Sequence, residues 1–127
     1  MYHALPNFNR PAYIIPLPTI SRHIRTRGFD HTYLIAKHLS RLTNYPINPI
    51  LARAKNTVQV GTNRATRQHQ AIAAYALKST LLDPSATYIL FDDVWTTGAS
   101  MQACEKMLRS AGATNIVFAI LSLSLID

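Results

Sequence analysis

Cysteine is nearly absent from this sequence, and its scarcity excludes two common ways of stabilising a small protein. Cys104 is the only cysteine in the 127 residues. A single thiol cannot close an intrachain disulfide, and it cannot supply the ligands of a structural zinc site. Cys104 falls on the apolar face of a predicted helix, which favours its interpretation as a small core residue.

Long hydrophobic runs are also missing. The most apolar stretch, residues 116–126, is interrupted by Ser122 and Ser124, and it is better interpreted as a last strand plus a tail than as a membrane span. The N-terminus carries Pro6 and Pro11 but no apolar block, so it does not resemble a secretory signal. We therefore expect a cytoplasmic protein without a membrane span.

Acidic residues are few, and they are unevenly placed. The chain has 13 Lys and Arg against 6 Asp and Glu, a formal charge of +7. Residues 1–70 hold ten of the basic residues and one aspartate, whereas residues 71–127 hold three basic and five acidic residues. A basic half of this kind is typical of a site for a multiply charged phosphate ligand or of a surface that binds nucleic acid.

Strand and helix patterns alternate along the chain. No linker, internal repeat or low-complexity tract divides it, so residues 1–127 are predicted to form a single domain. Strands are predicted at residues 12–17, 47–51, 87–91 and 115–121, and helices at residues 30–43, 64–78 and 100–111. Asp30 and Ser100 are the predicted N-caps, and Gly112 the stop of the last helix. This order predicts a three-layer α/β fold with a mostly parallel central sheet and flanking helices.

The segment from Tyr88 to Ser100 carries the strongest functional signal. A buried strand is followed by Asp92 and Asp93, and then by a turn rich in hydroxyl groups that opens a helix. Amide groups at a helix N-terminus favour a phosphate. The two carboxylates suit vicinal hydroxyls, or a magnesium ion that bridges to the ligand. Both can reach one sugar only if the strand has ended by Asp93, because neighbouring strand residues point to opposite faces.

This segment resembles the signature of the type I phosphoribosyltransferases. The resemblance implies that Asp92 and Asp93 hold the ribose hydroxyls of phosphoribosyl pyrophosphate. It also implies a 5′-phosphate site made by the residues that follow, which are Thr96, Thr97, Gly98, Ala99 and Ser100. The alternative is an ordinary strand-to-helix turn of a doubly wound domain, with two acids facing solvent.

A second resemblance narrows the family. The stretch Pro16-Leu17-Pro18, followed by Arg22, Arg25 and residues 27–31, is similar to a proline-bounded loop and Arg-Gly-Phe element of the ComF (competence protein F) group. Asp30 and His31 depart from the asparagine and glutamine of that pattern. A third stretch, residues 51–75, also resembles the group, with Tyr75 in place of a phenylalanine. Arg25 and Arg27 are the implied pyrophosphate ligands.

Members of the ComF group usually begin with a cysteine-rich zinc ribbon and a linking helix, and neither is present in this sequence. We therefore expect either a short stand-alone member or a piece of a split or truncated gene. No metal site made by the protein's own side chains is expected. Mg²⁺ would be bound through phosphoribosyl pyrophosphate.

The implied activity is a phosphoribosyl transfer in which pyrophosphate is displaced at the anomeric carbon by an amine or nucleobase acceptor. Thr96 stands where many purine-salvage relatives carry an aspartate beside the base, so it cannot serve as a comparable base. A non-catalytic sensor of phosphoribosyl pyrophosphate and a basic accessory protein of DNA uptake remain as alternatives. The hood over the acceptor is expected to be small, which favours a homodimer or a competence partner that supplies a further wall.

Overall fold

A computed structural model describes residues 11–18, 30–54, 75–78, 81–95 and 98–123 of the chain. The elements in chain order are β1 (Ala12–Pro16), α1 (His31–Thr43), β2 (Leu51–Arg53), β3 (Tyr75–Leu77), β4 (Thr87–Trp95), α2 (Ala99–Ser110) and β5 (Asn115–Leu123). Among these described residues, no helix is long and apolar enough to cross a membrane.

The central sheet is parallel, with β4 between β1 and β5. The segment at Ile47 adds a parallel bridge on the other side of β1, opposite Ile14. There the Ile14 N–H donates to the Pro46 carbonyl at 2.8 Å, and the Asn48 N–H donates to the Ile14 carbonyl at 2.9 Å. The predicted α/β architecture with a mostly parallel sheet is confirmed.

The two helices cover opposite faces of this sheet. Ile14, Ile89 and Phe91 pack with Ala36 and Leu39 of α1 in one core cluster. In the other cluster, apolar side chains of β1 and β4 pack with α2, namely Ile15, Tyr88, Leu90, Met101, Cys104 and Leu108. Complete burial of one such large side chain stabilises the fold by roughly 1.5–3 kcal/mol. Side chains alternate between the two faces along β1 and β4, so one part of the core lies under α1 and the other under α2.

Helix α1 is capped at both ends by residues that favour helix termini. The carboxylate of Asp30 accepts the Tyr33 N–H at 3.1 Å, so the predicted N-cap is confirmed. At the other end Asn44 adopts a left-handed conformation with φ 62°, and its N–H donates to the Ser40 carbonyl at 2.8 Å. Asparagine is one of the few residues that tolerate this conformation.

Helix α2 begins one residue earlier than predicted. Its N-cap is Gly98, with φ 81°, and the prediction that Ser100 caps the helix is wrong. The chain turns through the left-handed region between β4 and α2, and glycine enters that region without steric cost. Because Gly98 has no side chain, no side-chain hydrogen bond caps the first turn.

The strands differ from the predictions in three places. β4 continues four residues beyond Phe91, because its pairing with β5 continues to Leu123. The predicted strand at residues 47–51 is instead a single bridge at Ile47 followed by β2. β3 occupies the end of a predicted helix at residues 64–78, and residues 64–74 lie outside the described part of the chain. β3 pairs antiparallel with β2.

Gly112 makes a testable contribution to stability where α2 returns to the sheet. Its φ is 114°, and a Cβ at this position would lie 3.0 Å from the backbone carbonyl oxygen of Leu82. We expect Gly112→Ala to lower the free energy of unfolding by about 1–3 kcal/mol, because backbone strain and a backbone contact act together. Urea unfolding measures the change. Ser110→Ala, at an exposed position of the same helix end, is the control and should change stability by no more than about 0.5 kcal/mol.

Candidate functional site

Asp92 and Asp93 lie just beyond the point where β1 stops pairing with β4. The β1 register ends at Pro16 opposite Phe91, whereas β4 remains paired with β5 beyond it, as at Asp92 opposite Ile120. The chain leaves β1 toward α1 on one face of the sheet, and it leaves β4 toward α2 on the other face. Parallel sheets of this topology bind ligands in the crevice where neighbouring strands send their connections to opposite faces.

The strand does not end at Asp93, so that part of the prediction is wrong and the two side chains start from opposite faces. Asp93 follows Ile89 and Phe91 toward α1, where the Thr32 hydroxyl donates to Asp93 Oδ1 at 3.4 Å. Asp92 follows Tyr88 and Leu90 toward α2. Both aspartates are half-buried.

The two carboxyl groups nevertheless meet. The Asp93 N–H donates to Asp92 Oδ1 at 2.9 Å. Burial, then the interaction with the Asp93 side chain, and finally the charge of Asp93 raise the pKa of Asp92 to about 7. Two carboxyl groups this close do not both ionise readily, so the pair retains a proton near neutral pH.

The first turn of α2 lies a few residues downstream. The Gln102 N–H donates to the Gly98 carbonyl at 3.0 Å, the hydrogen bond by which the N-cap residue begins the helix. The N–H groups that precede it lie at the positive end of the helix dipole. No acidic residue occupies this first turn. An anion is therefore favoured there on electrostatic grounds.

Tyr75 connects the carboxyl pair to the helix terminus. It is buried in the α2-side core, and its hydroxyl lies close enough to the Ser100 side chain and to Asp92 for both to affect its pKa. Burial is the main cause that raises the pKa of its phenol. The guanidinium of Arg53 lies 4.9 Å from the centroid of the Tyr75 ring, a cation–π contact. Asp92 and Ser100 are thus neighbours of one side chain.

Thr32 and Tyr75 were not recognised as site residues from the sequence. Thr32 shares a helix face with Ala36 and Leu39 at spacings of four and three, and a hydroxyl on an apolar face is a usable signal that it has a buried partner. Tyr75 lies within a predicted helix, and the sequence offers no signal against it, because Tyr75, Ala76 and Leu77 are all apolar and a run this short does not distinguish a strand from a buried helix segment.

Cys104 is fully buried in the α2-side core, as predicted. Burial raises the pKa of its thiol to about 12, with a smaller contribution from the charge of Asp92. A thiol in such surroundings stays protonated and unreactive at neutral pH.

Of the predicted ligand-binding residues, the structure describes Asp92, Asp93, Gly98, Ala99 and Ser100. Thr96, Thr97, Arg25 and Arg27 lie outside the described residues. Gly98 is buried at the N-cap of α2, and Ala99 and Ser100 are half-buried in its first turn.

Known proteins resemble this chain in sequence and in fold. No protein-family model matches the chain. Competence protein F of Haemophilus influenzae is 32% identical over 109 residues, which are 84% of this chain and 48% of that protein. The resemblance to the competence protein F group is confirmed. The chain spans about half the length of the curated relative that it matches.

A solved structure provides a comparison for the fold of this competence protein F-like chain. The purine phosphoribosyltransferase from Pyrococcus horikoshii superposes with a TM-score of 0.52 over 91% of this chain and 71% of its own. The sequences are 14% identical, so the likeness concerns the fold. The chain has the α/β fold of type I phosphoribosyltransferases.

The raised pKa of Asp92 predicts how the stability of this competence protein F-like chain depends on pH. Since the folded-state pKa is about 7 against an ordinary value of 3.8, the fold favours the protonated acid. Its contribution to stability is complete below pH 3.8 and is lost as the pH rises through about 7. Asp92→Asn stays neutral, so we expect it to remove this loss and to be more stable than the wild type at pH 8.

Thermal unfolding between pH 4.5 and pH 8 in the absence of ligand tests this expectation. Glu105→Gln is the control, because Glu105 is on the surface of α2 in an ion pair with Arg109 at 3.0 Å. A wild-type stability curve parallel to that of Asp92→Asn across this range would contradict the expectation.

Proposed function

We propose that the chain is a phosphoribosyltransferase that uses magnesium phosphoribosyl pyrophosphate and transfers the phosphoribosyl group to an amine or nucleobase. The supporting observation is that Asp92 of the carboxyl pair and Ser100 of the first turn of α2 both lie close enough to Tyr75 to affect its pKa. They do so in a fold shared with a purine phosphoribosyltransferase. The carboxyl pair suits a sugar, and the first turn of α2 suits a phosphate.

The carboxyl pair is suited to the ribose 2′- and 3′-hydroxyls. Each hydroxyl both donates and accepts hydrogen bonds, and a carboxyl pair that shares one proton can do both as well. The hydrogen bond from Thr32 to Asp93 restricts how that carboxylate can turn. In this proposal Asp92 and Asp93 fix the orientation of the sugar ring, so that the anomeric carbon faces the acceptor.

The N-terminal turn of α2 is suited to the 5′-phosphate. Thr96, Thr97, Gly98, Ala99 and Ser100 are the proposed ligands, through backbone amides and hydroxyl groups. Glycine at the N-cap leaves the first turn without a competing side-chain cap. An oxygen of the phosphate would take the place that a capping side chain has in other helices.

Arg25 and Arg27 are the proposed ligands of the pyrophosphate, because guanidinium groups bind phosphate oxygens in pairs. Magnesium is the proposed cofactor. In this proposal the ion is bound through the oxygen atoms of phosphoribosyl pyrophosphate, and the nearby carboxyl oxygens of Asp92 and Asp93 are compatible with a hard cation. Bound with the substrate, the ion would neutralise charge on the departing pyrophosphate.

In the proposed reaction the bond between the anomeric carbon and the pyrophosphate oxygen breaks, and a bond from the acceptor nitrogen to that carbon forms. Pyrophosphate leaves with the electron pair, and the acceptor nitrogen loses a proton to solvent or to a nearby base. The ring gains positive charge in the transition state, which the carboxyl pair stabilises. Because Thr96 is no base, the proposal favours an acceptor that needs little deprotonation.

The two alternatives have specific support. Thr96 favours a sensor that binds phosphoribosyl pyrophosphate without turnover. The excess of ten basic residues over one aspartate in residues 1–70 favours an accessory protein of DNA uptake. DNA binding would weaken steeply as salt is added.

Titration calorimetry with phosphoribosyl pyrophosphate tests the proposal. We expect binding to require magnesium, and we expect the double variant Asp92→Asn/Asp93→Asn to weaken it by about a hundredfold or more, because hydrogen bonds to the sugar from two charged or ionisable groups are lost. Asp83→Asn is the matched control. Asp83 is an exposed aspartate near the opposite end of β4, and we expect this variant to bind like the wild type. Equal binding by the double variant and the wild type would reject the site.

Release of pyrophosphate separates the transferase from the sensor. We expect the wild type, supplied with magnesium phosphoribosyl pyrophosphate and a panel of amines and nucleobases, to release pyrophosphate with at least one acceptor. Tight binding without release across the panel would favour the sensor. Affinity for duplex DNA that falls steeply with salt and is unchanged in the Asp92/Asp93 double variant would favour the DNA-uptake alternative.

A further inference from the structure

Tyr75 occupies an unusual position between two parts of the chain that are far apart in sequence. It lies on β3, where its backbone is opposite Arg53 of β2, and its side chain is 7% exposed within the α2-side core. Its hydroxyl lies close to the side chain of Ser100 in the first turn of α2, close enough for Ser100 to lower its pKa against the larger effect of burial. The β2–β3 pair therefore lies beside the helix terminus that is proposed to bind the 5′-phosphate.

The Tyr75 ring also holds a cation. The Arg53 guanidinium carbon lies 4.9 Å from the ring centroid, so the charge rests on the face of the ring while the hydroxyl group lies close to Ser100. Arginine stacked in this way loses part of its side-chain freedom. One aromatic side chain thus sets the position of a hydroxyl group and of a positive charge.

We propose that Tyr75 is a positioning residue for phosphate binding: it orients the Ser100 hydroxyl at the N-terminal turn of α2 and holds Arg53 beside that turn. This inference rests on the proposed function, and it adds Arg53 as a cation of the phosphate site. Without the Tyr75 hydroxyl, Ser100 would sample other rotamers and lose a defined hydrogen bond to the ligand. Without the ring, Arg53 would lose its support.

The test is calorimetry with ribose 5-phosphate, which carries the sugar and the 5′-phosphate without pyrophosphate. We expect Tyr75→Phe, which removes only the hydroxyl, to weaken binding by about three- to tenfold, the effect of one neutral hydrogen bond. Ser100→Ala should weaken binding at least as much. The double variant should be no weaker than Ser100→Ala, because Tyr75 acts through Ser100.

Two further variants complete the design. Tyr88→Phe is the matched control: Tyr88 is also a buried tyrosine in the α2-side core, and its hydroxyl accepts the Asp83 N–H at 3.0 Å, away from the carboxyl pair. It should leave the affinity for ribose 5-phosphate unchanged. Arg53→Gln should weaken binding, and the loss should shrink as salt is added, since a charge is involved.

The outcomes separate this inference from the proposed function. Binding of ribose 5-phosphate by the wild type, with equal affinity in Tyr75→Phe, would overturn the inference and leave the proposed function standing. Independent, additive losses from Tyr75→Phe and Ser100→Ala would also overturn it, because the effect would then not pass through Ser100. Failure of the wild type to bind either ribose 5-phosphate or phosphoribosyl pyrophosphate would overturn both.

Discussion

The parallel pairing of β4 with its two neighbours is the constraint on which the rest of the structure depends. β1 binds one edge of β4 as far as Phe91, and β5 binds the other edge as far as Trp95. This register places Ile89 and Phe91 under α1 and Tyr88 and Leu90 under α2. It also places the two aspartates immediately after the last residue of β4 that pairs with β1, so the same hydrogen bonds that build the core set the location of the polar site.

The site combines two polar arrangements that are costly without a ligand. The carboxyl pair is partly buried and carries negative charge that burial disfavours, as the raised pKa of Asp92 shows. The first turn of α2 has an excess of partial positive charge and no side-chain cap. A ligand with hydroxyl groups at one end and a phosphate at the other would provide hydrogen-bond partners for the carboxyl pair and an anion for the first turn of α2. A sugar phosphate has this distribution of groups, and a member of each arrangement, Asp92 or Ser100, lies near Tyr75.

Much of the architecture could be predicted from the sequence, because it depends on residues that are close to one another along the chain. The apolar strands, the Asp30 cap and the Gly112 stop depend on residues within a few positions of one another, and the resemblance to the competence protein F group was carried by contiguous stretches. The missed features are long-range. β4 extends because β5 is there to pair with it, and Tyr75 lies in a strand because β2 is its partner. Gly98 rather than Ser100 caps α2, and its φ of 81° is a conformation that glycine adopts without steric cost.

The site residues also divide into those that the local sequence predicts and those that only long-range contacts bring to the site. Asp92 and Asp93 directly follow an apolar run that clearly predicts a strand, so their position at the end of that run could be predicted. Thr32 reaches Asp93 across 61 positions of the sequence, and the link from Tyr75 to Ser100 joins β3 to α2. The hydrophobic periodicity of the sequence does not predict contacts of this kind, because they form only when the helices pack on the sheet.

The strand order has a consequence for how the chain acquires its structure. β4 and β5 are joined by α2 alone and form a compact unit from consecutive residues, whereas the pairing of Ala12 with Thr87 joins residues that are far apart in the sequence. Loop closure over such a span is entropically slower than closure within the β4–α2–β5 unit. The β4–α2–β5 unit is therefore expected to form before β1 joins it, and until then β1 can pair, among the described residues, only with the segment at Ile47.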